Sequence, residues 1–407
     1  MEKANRYLLF LFTIALAFGT INLFAISANI DSESAPEPLF VSLFALFYVV
    51  TSWLPSHKNS GERILRNMTG TLFVMVVTFA LADIIYDFSA VNWFFVFKLA
   101  FAIFTYYTLG RHFANNPKDI EVCLLIFAIT CTFVIVSSFT FLSDIVSFSK
   151  GRMSIYGENA NSTSSRMSVA IFAFMYFFNK KDVRWVYKIG MLGCIVLLLV
   201  YIIMSGSRGS FLFTLGGIAL FVLLTGKRKG RTVIAAVFGI FLVGYSVNHY
   251  LDMEEVSMFD RLSELGETGD SRSQLMKNAL KIYEDYPIIG VGSNGYLSEK
   301  LLRGLDGRDS HNIITTIMAM GGTVALICFL KFLYINLSIL IKRIQQKLLP
   351  LVMFLSMFFI SMKTGGVITF MLMWYVYAIA YGMSRPQFIN MDPSCSLLSR
   401  KNAKHNG

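Results

Sequence analysis

The chain has 407 residues, of which 55% are hydrophobic and 15% charged, and its mean hydropathy is +0.59. Soluble domains carry about a quarter charged residues, so this composition excludes an ordinary soluble enzyme and indicates an integral membrane protein. The formal charge of +11 would suggest nucleic acid in a soluble chain; here the basic clusters are short, separated and lack interleaved stacking aromatics, so no nucleic-acid partner is expected.

The first apolar run, YLLFLFTIALAFGTINLFAISA after Lys3 and Arg6, is longer than the apolar stretch of a secretory signal. It fits a retained spanning helix of about twenty residues. Further runs begin near Pro38, Met68, Trp93, Ile120, Arg166, Tyr187, Ser210, Thr232, Asn312, Leu348 and Ile368, which makes about twelve spans. Basic clusters fall in alternate connections: HKNSGERILR, GRHFANNPK, NKKDVRWVYK, KRKGR, KRIQQK and, in the tail, SRKNAKH. Lys and Arg are retained on the cytoplasmic side, so both termini are expected there. The reading is an all-α polytopic membrane protein, with one transmembrane domain over residues 1–384 and a polar, disordered cytoplasmic tail over residues 385–407.

Two outward segments are long, residues 143–166 and residues 248–311. The second contains a helix signal. Ser271 and Gln274 have the capping-box spacing, Leu275, Ala279, Ile282 and Tyr283 recur at helical spacing, and Pro287 stops the pattern. A short amphipathic helix lying on the outer membrane face is expected. GVGSNG at 290–295 matches the dinucleotide fingerprint letter for letter but lacks its strand–turn–helix setting, so a glycine turn returning the chain to the membrane is the better reading. Cys123, Cys131, Cys194 and Cys328 lie in apolar runs, Cys395 lies in the tail, and no CxxC pair occurs; neither a disulfide framework nor a zinc site is indicated.

The outward segments hold Arg152, Arg166, Arg208, Arg261, Arg272, Arg303 and Arg308. Arg208, in MSGSRGSF, stands between two apolar runs with almost no loop around it. A cation near the bilayer interior costs about 2.5–3.5 kcal/mol on insertion scales, so it either reaches out to lipid phosphate or holds an anionic ligand. Guanidinium grips phosphate through two parallel hydrogen bonds. Arg272 opens the loop helix and either faces the same anion or is solvated. Arg152 and Arg166 read as surface charges. His311 and His249 are the two outward histidines; an imidazole titrates near neutrality and can take a proton from a hydroxyl, or His311 simply ends a loop at the interface. Asp309, Ser310 and His311 are adjacent and cannot face one another as a triad. No ligand set with metal spacing stands out.

Four stretches recur together: SGSRGSF, SRSQLMKNALKIYEDYPIIGVGSNGYL, SHNIITTIMAMGG and, more loosely, GRMSIYGENANSTS. In this order, over residues 151–323, the chain resembles the O-antigen ligase and polymerase superfamily of bacterial membrane glycosyltransferases. The resemblance implies a GT-C-like fold and transfer of a glycan from undecaprenyl diphosphate on the periplasmic face of the inner membrane, without metal or cofactor. It implies that Arg208 and Arg272 bind the donor diphosphate, with Arg152 as a secondary candidate. His311 would act as base on the acceptor hydroxyl or organise the acceptor. Ligation of O-antigen onto lipid A–core is placed first, and polymerisation onto a second lipid-linked glycan is the alternative. Membrane lipids and other polysaccharide-assembly proteins are the remaining partners implied. A transporter or lipid flippase is a third reading, disfavoured because the candidate charges lie mostly in outward loops and no inverted pair of broken helices is evident.

Overall fold

The computed structural model describes residues 2–19, 39–52, 62–140, 146–149, 152–155, 158–225, 269–305, 310–344, 348–364 and 367–391. About 85% of it is helical. In chain order the helices are α1 (Glu2–Phe18), α2 (Leu39–Ser52), α3 (Glu62–Tyr86), α4 (Trp93–Asn115) and α5 (Pro117–Phe139). There follow α6 (Ala160–Phe178), α7 (Trp185–Met204), α8 (Arg208–Thr225), α9 (Gly269–Asp285) and α10 (Gly292–Leu302). The last four are α11 (Ile313–Lys342), α12 (Leu349–Ser361), α13 (Met371–Met383) and the short α14 (Pro386–Met391). Five of the described helices, α3, α4, α5, α7 and α11, are long and apolar enough to cross a membrane. A helix lies at each expected apolar run except the one near Thr232, which falls outside the described residues together with His249, Arg261 and Arg308.

The core is built around α13, every residue of which is buried. It packs against α4 and α12, and two of its aromatic side chains, Trp374 and Tyr375, are tied down at their polar ends. The Trp374 indole N–H donates to the Ile368 carbonyl at 2.8 Å, and the Tyr375 hydroxyl lies 3.1 Å from Thr13 Oγ1. Buried aromatic rings keep such partners because an unpaired polar tip in an apolar interior costs free energy.

Two features orient the bundle. At one end, Asp119 at the start of α5 joins Arg6 of α1 (3.0 Å) and His112 of α4 (2.9 Å), and Lys180 beyond α6 meets Glu121 of α5 at 2.6 Å. The opposite end gathers the end of α3 and the starts of α6, α8, α10 and α11. All the described candidate residues lie at that second end.

Three expectations are corrected. Within residues 143–166 a two-stranded antiparallel hairpin forms, β1 (Val146–Ser149) with β2 (Arg152–Ile155), in the register Val146↔Ile155. Helix α6 then starts at Ala160 rather than near Arg166, because Asn159 caps it by accepting the Asn161 N–H at 2.9 Å. The segment after Ser384, expected as a disordered tail, opens with α14, whose Phe388 is buried and faces Tyr176; residues 392–407 lie outside the described residues. Helix α9 exists where the apolar periodicity placed it, starting at Gly269, but Leu275, Ala279 and Ile282 are buried and the helix packs on α11. Its apolar face is therefore taken up by protein and is not left for the membrane surface.

Candidate functional site

The serine-rich turn SGSRGS connects α7 to α8. Ser210, one turn into α8, accepts from Ser164 of α6 at 2.9 Å and pairs with Ser207 at 3.1 Å. One helical turn on, Thr214 donates to Ser168 at 2.6 Å. Residues four apart share a helix face, so 164/168 and 210/214 zip the two helices together by hydroxyls. That zip fixes Arg208 at the first position of α8.

The hairpin delivers Arg152 to the same place. Its Nε donates to the Ser205 carbonyl at 3.2 Å and its Nη2 to Asn161 Oδ1 at 2.8 Å. From the far side, the end of α12 contributes Lys363, which packs against Gly209, and Thr364. Arg152, Asn161, residues 206–210, Lys363 and Thr364 line one small recess, with about 50 Å³ of room for water-sized occupants. Among the described residues, three cations and no carboxylate line it. The first N–H groups of α8 have no intrahelical partners and add partial positive charge there. Such a recess can hold an anion with several oxygens, and a diphosphate has the charge and reach for it.

Arg166 is not the surface charge expected of it. It is buried and ion-paired to the Glu158 carboxylate, which also accepts from Thr163 Oγ1 at 2.8 Å. The early start of α6 carries Arg166 into the bundle, where a guanidinium persists only beside a carboxylate.

His311 stands at the junction before α11. It is the one non-glycine residue at positive φ among the described residues, at 51°, a conformation that costs a side-chain-bearing residue free energy. Its neighbours hold it there. Asn312 caps α11, accepting from the N–H groups of Ile314 at 2.9 Å and Thr315 at 3.3 Å. Ser310 is buried, 2.7 Å from Thr316 Oγ1. The Asn312 amide also reaches Met276 Sδ of α9 at 3.9 Å. Arg272 occupies a register position one turn before Met276 on α9, so the backbone brings the Arg272 and His311 segments together. His311 is not among the residues lining the cation recess. The structure thus unites Arg152 with Arg208, places Arg272 near His311, and keeps the two pairs in separate parts of one end.

The His311 part is held by backbone. α11 breaks at Gly322, φ 62° and ψ −161°. The break frees N–H and C=O groups that pair with the loop 287–291: Thr323 N–H to the Pro287 carbonyl (2.8 Å), Val324 N–H to Ile288 (3.1 Å) and Val291 N–H to Ala319 (3.1 Å). A Cβ at Gly322 would collide with the Ile288 carbonyl. The expected glycine turn over 290–295 is realised only in part: the turn lies at 287–289, Gly290 and Val291 connect it, and residues 292–295 are already the first turn of α10. Asp83 at the end of α3 accepts from Asn294 N–H at 2.9 Å and Ser293 Oγ at 3.2 Å, placing a carboxylate on the α10 N-terminus. Gly292, at φ 75°, leaves room for that carboxylate.

At the other end of α10, Glu299 accepts from Tyr86 (2.9 Å), Tyr286 (3.2 Å) and Arg303 (2.7 and 2.8 Å), and Arg303 also meets Asp285 at 2.7 Å. Burial alone would raise the Glu299 carboxyl, but the donated hydrogen bonds from Arg303 and Tyr86 outweigh it and hold the pKa below its usual value. Among the described residues no cluster of three His, Cys, Asp or Glu is placed to hold a metal ion.

Sequence reasoning missed Lys363, Asn161 and Asp83. Lys363 had a signal, a lone cation between the apolar runs of FFISMKTGGVITF, the same mark that singled out Arg208. Asn161 had none, because its role depends on the hairpin reaching back to α6.

The fold defines a helical membrane protein with its polar machinery gathered at one end of the bundle. Residues 193–330 match the family model described as O-antigen ligase, and the match supports the O-antigen ligase and polymerase superfamily, a family of glycosyltransferase-like enzymes. It runs from α7 into α11, taking in Arg208, Arg272, His311 and the Gly322 break, while Arg152 and Lys363 lie outside it. No curated protein matches the chain.

Proposed function

We propose that the protein transfers a glycan from undecaprenyl diphosphate to an acceptor hydroxyl at the periplasmic face of the bacterial inner membrane, ligating O-antigen onto lipid A–core. The observation that carries this reading is the recess that Arg152, Arg208 and Lys363 line together at the start of α8. The proposed fold is a GT-C-like domain over residues 1–384 with about twelve spans and both termini cytoplasmic.

In the reaction the acceptor oxygen attacks the anomeric carbon of the donor sugar. Its proton passes to the His311 imidazole as the bond from that carbon to the diphosphate oxygen breaks. Undecaprenyl diphosphate leaves with the bonding electron pair, and Arg208, Arg272 and Arg152 stabilise the charge that gathers on it. The left-handed backbone of His311 supports its role, since strain of this kind is retained where the surrounding structure enforces it. Because the reacting anomeric carbon is bonded directly to the diphosphate, the mechanism requires the recess and His311 to close on the same sugar when donor and acceptor are bound. The reaction calls on side chains of the protein alone, with no cofactor.

The test is a deletion strain complemented with the wild type or His311→Ala and its lipopolysaccharide resolved on a gel. Ligation predicts bare core with His311→Ala and polymer retained on the lipid carrier. Core bearing a single repeat would instead assign the same chemistry to polymerisation. A full ladder from His311→Ala at wild-type expression removes His311 from the reaction.

A further inference from the structure

Helix α10 is inside out. Ser293, Tyr296, Glu299 and Lys300 are buried, and the Lys300 ammonium lies 3.7 Å from the centroid of the Tyr296 ring. Leu297, Leu301 and Leu302 face outward, with Leu301 62% and Leu302 78% exposed. Water selects the reverse arrangement, because leucines gain by leaving it and charged side chains lose. A short helix with its charges turned to protein and its leucines turned outward has hydrocarbon as the solvent on that face.

The outward face does not stand alone. Ile288, 69% exposed, precedes α10 and is tied by its carbonyl to the Val324 N–H. Val324 begins the exposed apolar stripe Val324, Ile327 and Tyr334 of α11, one of the helices fit to cross a membrane. On the other side α10 packs on the end of α3, whose exposed stripe Val74, Val77, Leu81 and Ile85 runs up to it. The exposed Trp93 and Phe94 at the adjacent start of α4 have the character of a membrane–water boundary. Helix α9 contrasts with this. Its exposed residues are Ser273, Gln274, Lys277, Lys281, Glu284 and Asp285 among those whose side chains are described, so its free face is made for water.

We infer that α10 is a membrane-dipping helix: Ile288, Leu297, Leu301 and Leu302 contact lipid acyl chains and extend the lipid-facing surface of α3 and α11, while the polar face of α9 stays in water. The occupant of this face is the bilayer. This assignment is independent of the reaction proposed above.

The full-length protein in lipid nanodiscs tests it. Leu301→Cys and Lys277→Cys are treated with a charged, membrane-impermeant thiol reagent, and modification is read peptide by peptide by mass spectrometry. The cysteine at 277 should react at least tenfold faster than the one at 301. In the unsubstituted protein, a phospholipid carrying a photoactivatable group in its acyl chain should label the peptide containing residues 297–302 and spare that containing 277–284. Equal thiol reactivity at the two positions overturns the inference. So does absence of acyl-chain labelling at 297–302, which would mean that protein covers the face.

Discussion

The two halves of the candidate site are built by opposite means. Around Arg208 the structure is made of side chains: hydroxyl pairs zip α6 to α8, and the Asn161 amide oxygen holds the Arg152 guanidinium at the recess. Around His311 it is made of backbone: the α9–α10 loop is stitched by main-chain hydrogen bonds into the break of α11 at Gly322. The first arrangement leaves a recess whose charge can be met by a ligand. The second leaves no room for change at its glycines and holds the backbone on either side of His311. Substitutions of the recess cations and of His311 should therefore act on activity, and those of the glycines in the second region on folding.

The largest effect is expected at Gly292. A valine there would place its Cβ against the Asp83 carboxylate at a positive φ, combining backbone strain of about 1–3 kcal/mol with the loss of a buried charged hydrogen-bond acceptor site. Gly292→Val should abolish the well-folded species, seen as loss of the monodisperse peak in detergent. If Gly292→Val retains the wild-type melting temperature, the backbone-held picture of this region is wrong.

Next in size is Arg208→Ala. Removing a preorganised donor from a developing oxyanion costs roughly 10²–10³ in rate, and the fold should survive because the serine zip is untouched. The check is turnover of undecaprenyl-diphosphate donor by purified enzyme, alongside its melting curve. A parallel fall in both would move Arg208 from the reaction to the scaffold. Lys363→Ala should be milder. Loss of one charged contact worth about 1.5–3 kcal/mol corresponds to roughly tenfold or more, and it should show in KM for the donor, since an ammonium on a flexible stem binds as a point charge. An unchanged KM would leave the recess with two functional cations.

How much of this was legible beforehand follows the same division. Apolar runs declared the helices, since their lengths are set by the bilayer. Arg208 was conspicuous because a guanidinium between two apolar runs needs a reason. What could not be read was pairing across distance. Arg166 looked like a surface charge until α6 began at Ala160 and buried it beside Glu158. Helix α9 showed a clear apolar face, but periodicity does not say whether that face meets lipid or α11. The reversed character of α10 was hidden because GSNGYLSEKLL carries its leucines and its charges one residue apart, and only the packing decides which set turns inward.

The smallest expected effect is the one dependence on charge within the backbone-held region. Glu299 is held below its ordinary pKa by the donors of Arg303, Tyr86 and Tyr286, against its own desolvation. A carboxyl whose folded pKa is depressed contributes stability that is fully present above the unfolded value, about 4.3 for glutamate. That contribution is lost as the pH falls through the lower, folded pKa. The melting temperature of the detergent-solubilised protein should therefore decline on acidification into that range, by an amount on the order of 1 kcal/mol from this group. Glu299→Gln cannot titrate, so it should melt lower than wild type at neutral pH and lose less on acidification. Among the described residues no carboxylate lines the Arg208 recess, so Arg208→Ala should leave the acid response of stability unchanged. If Arg208→Ala and Glu299→Gln respond to acid alike, the two regions are not electrostatically separate, and the division between a ligand-facing half and a self-satisfied half fails.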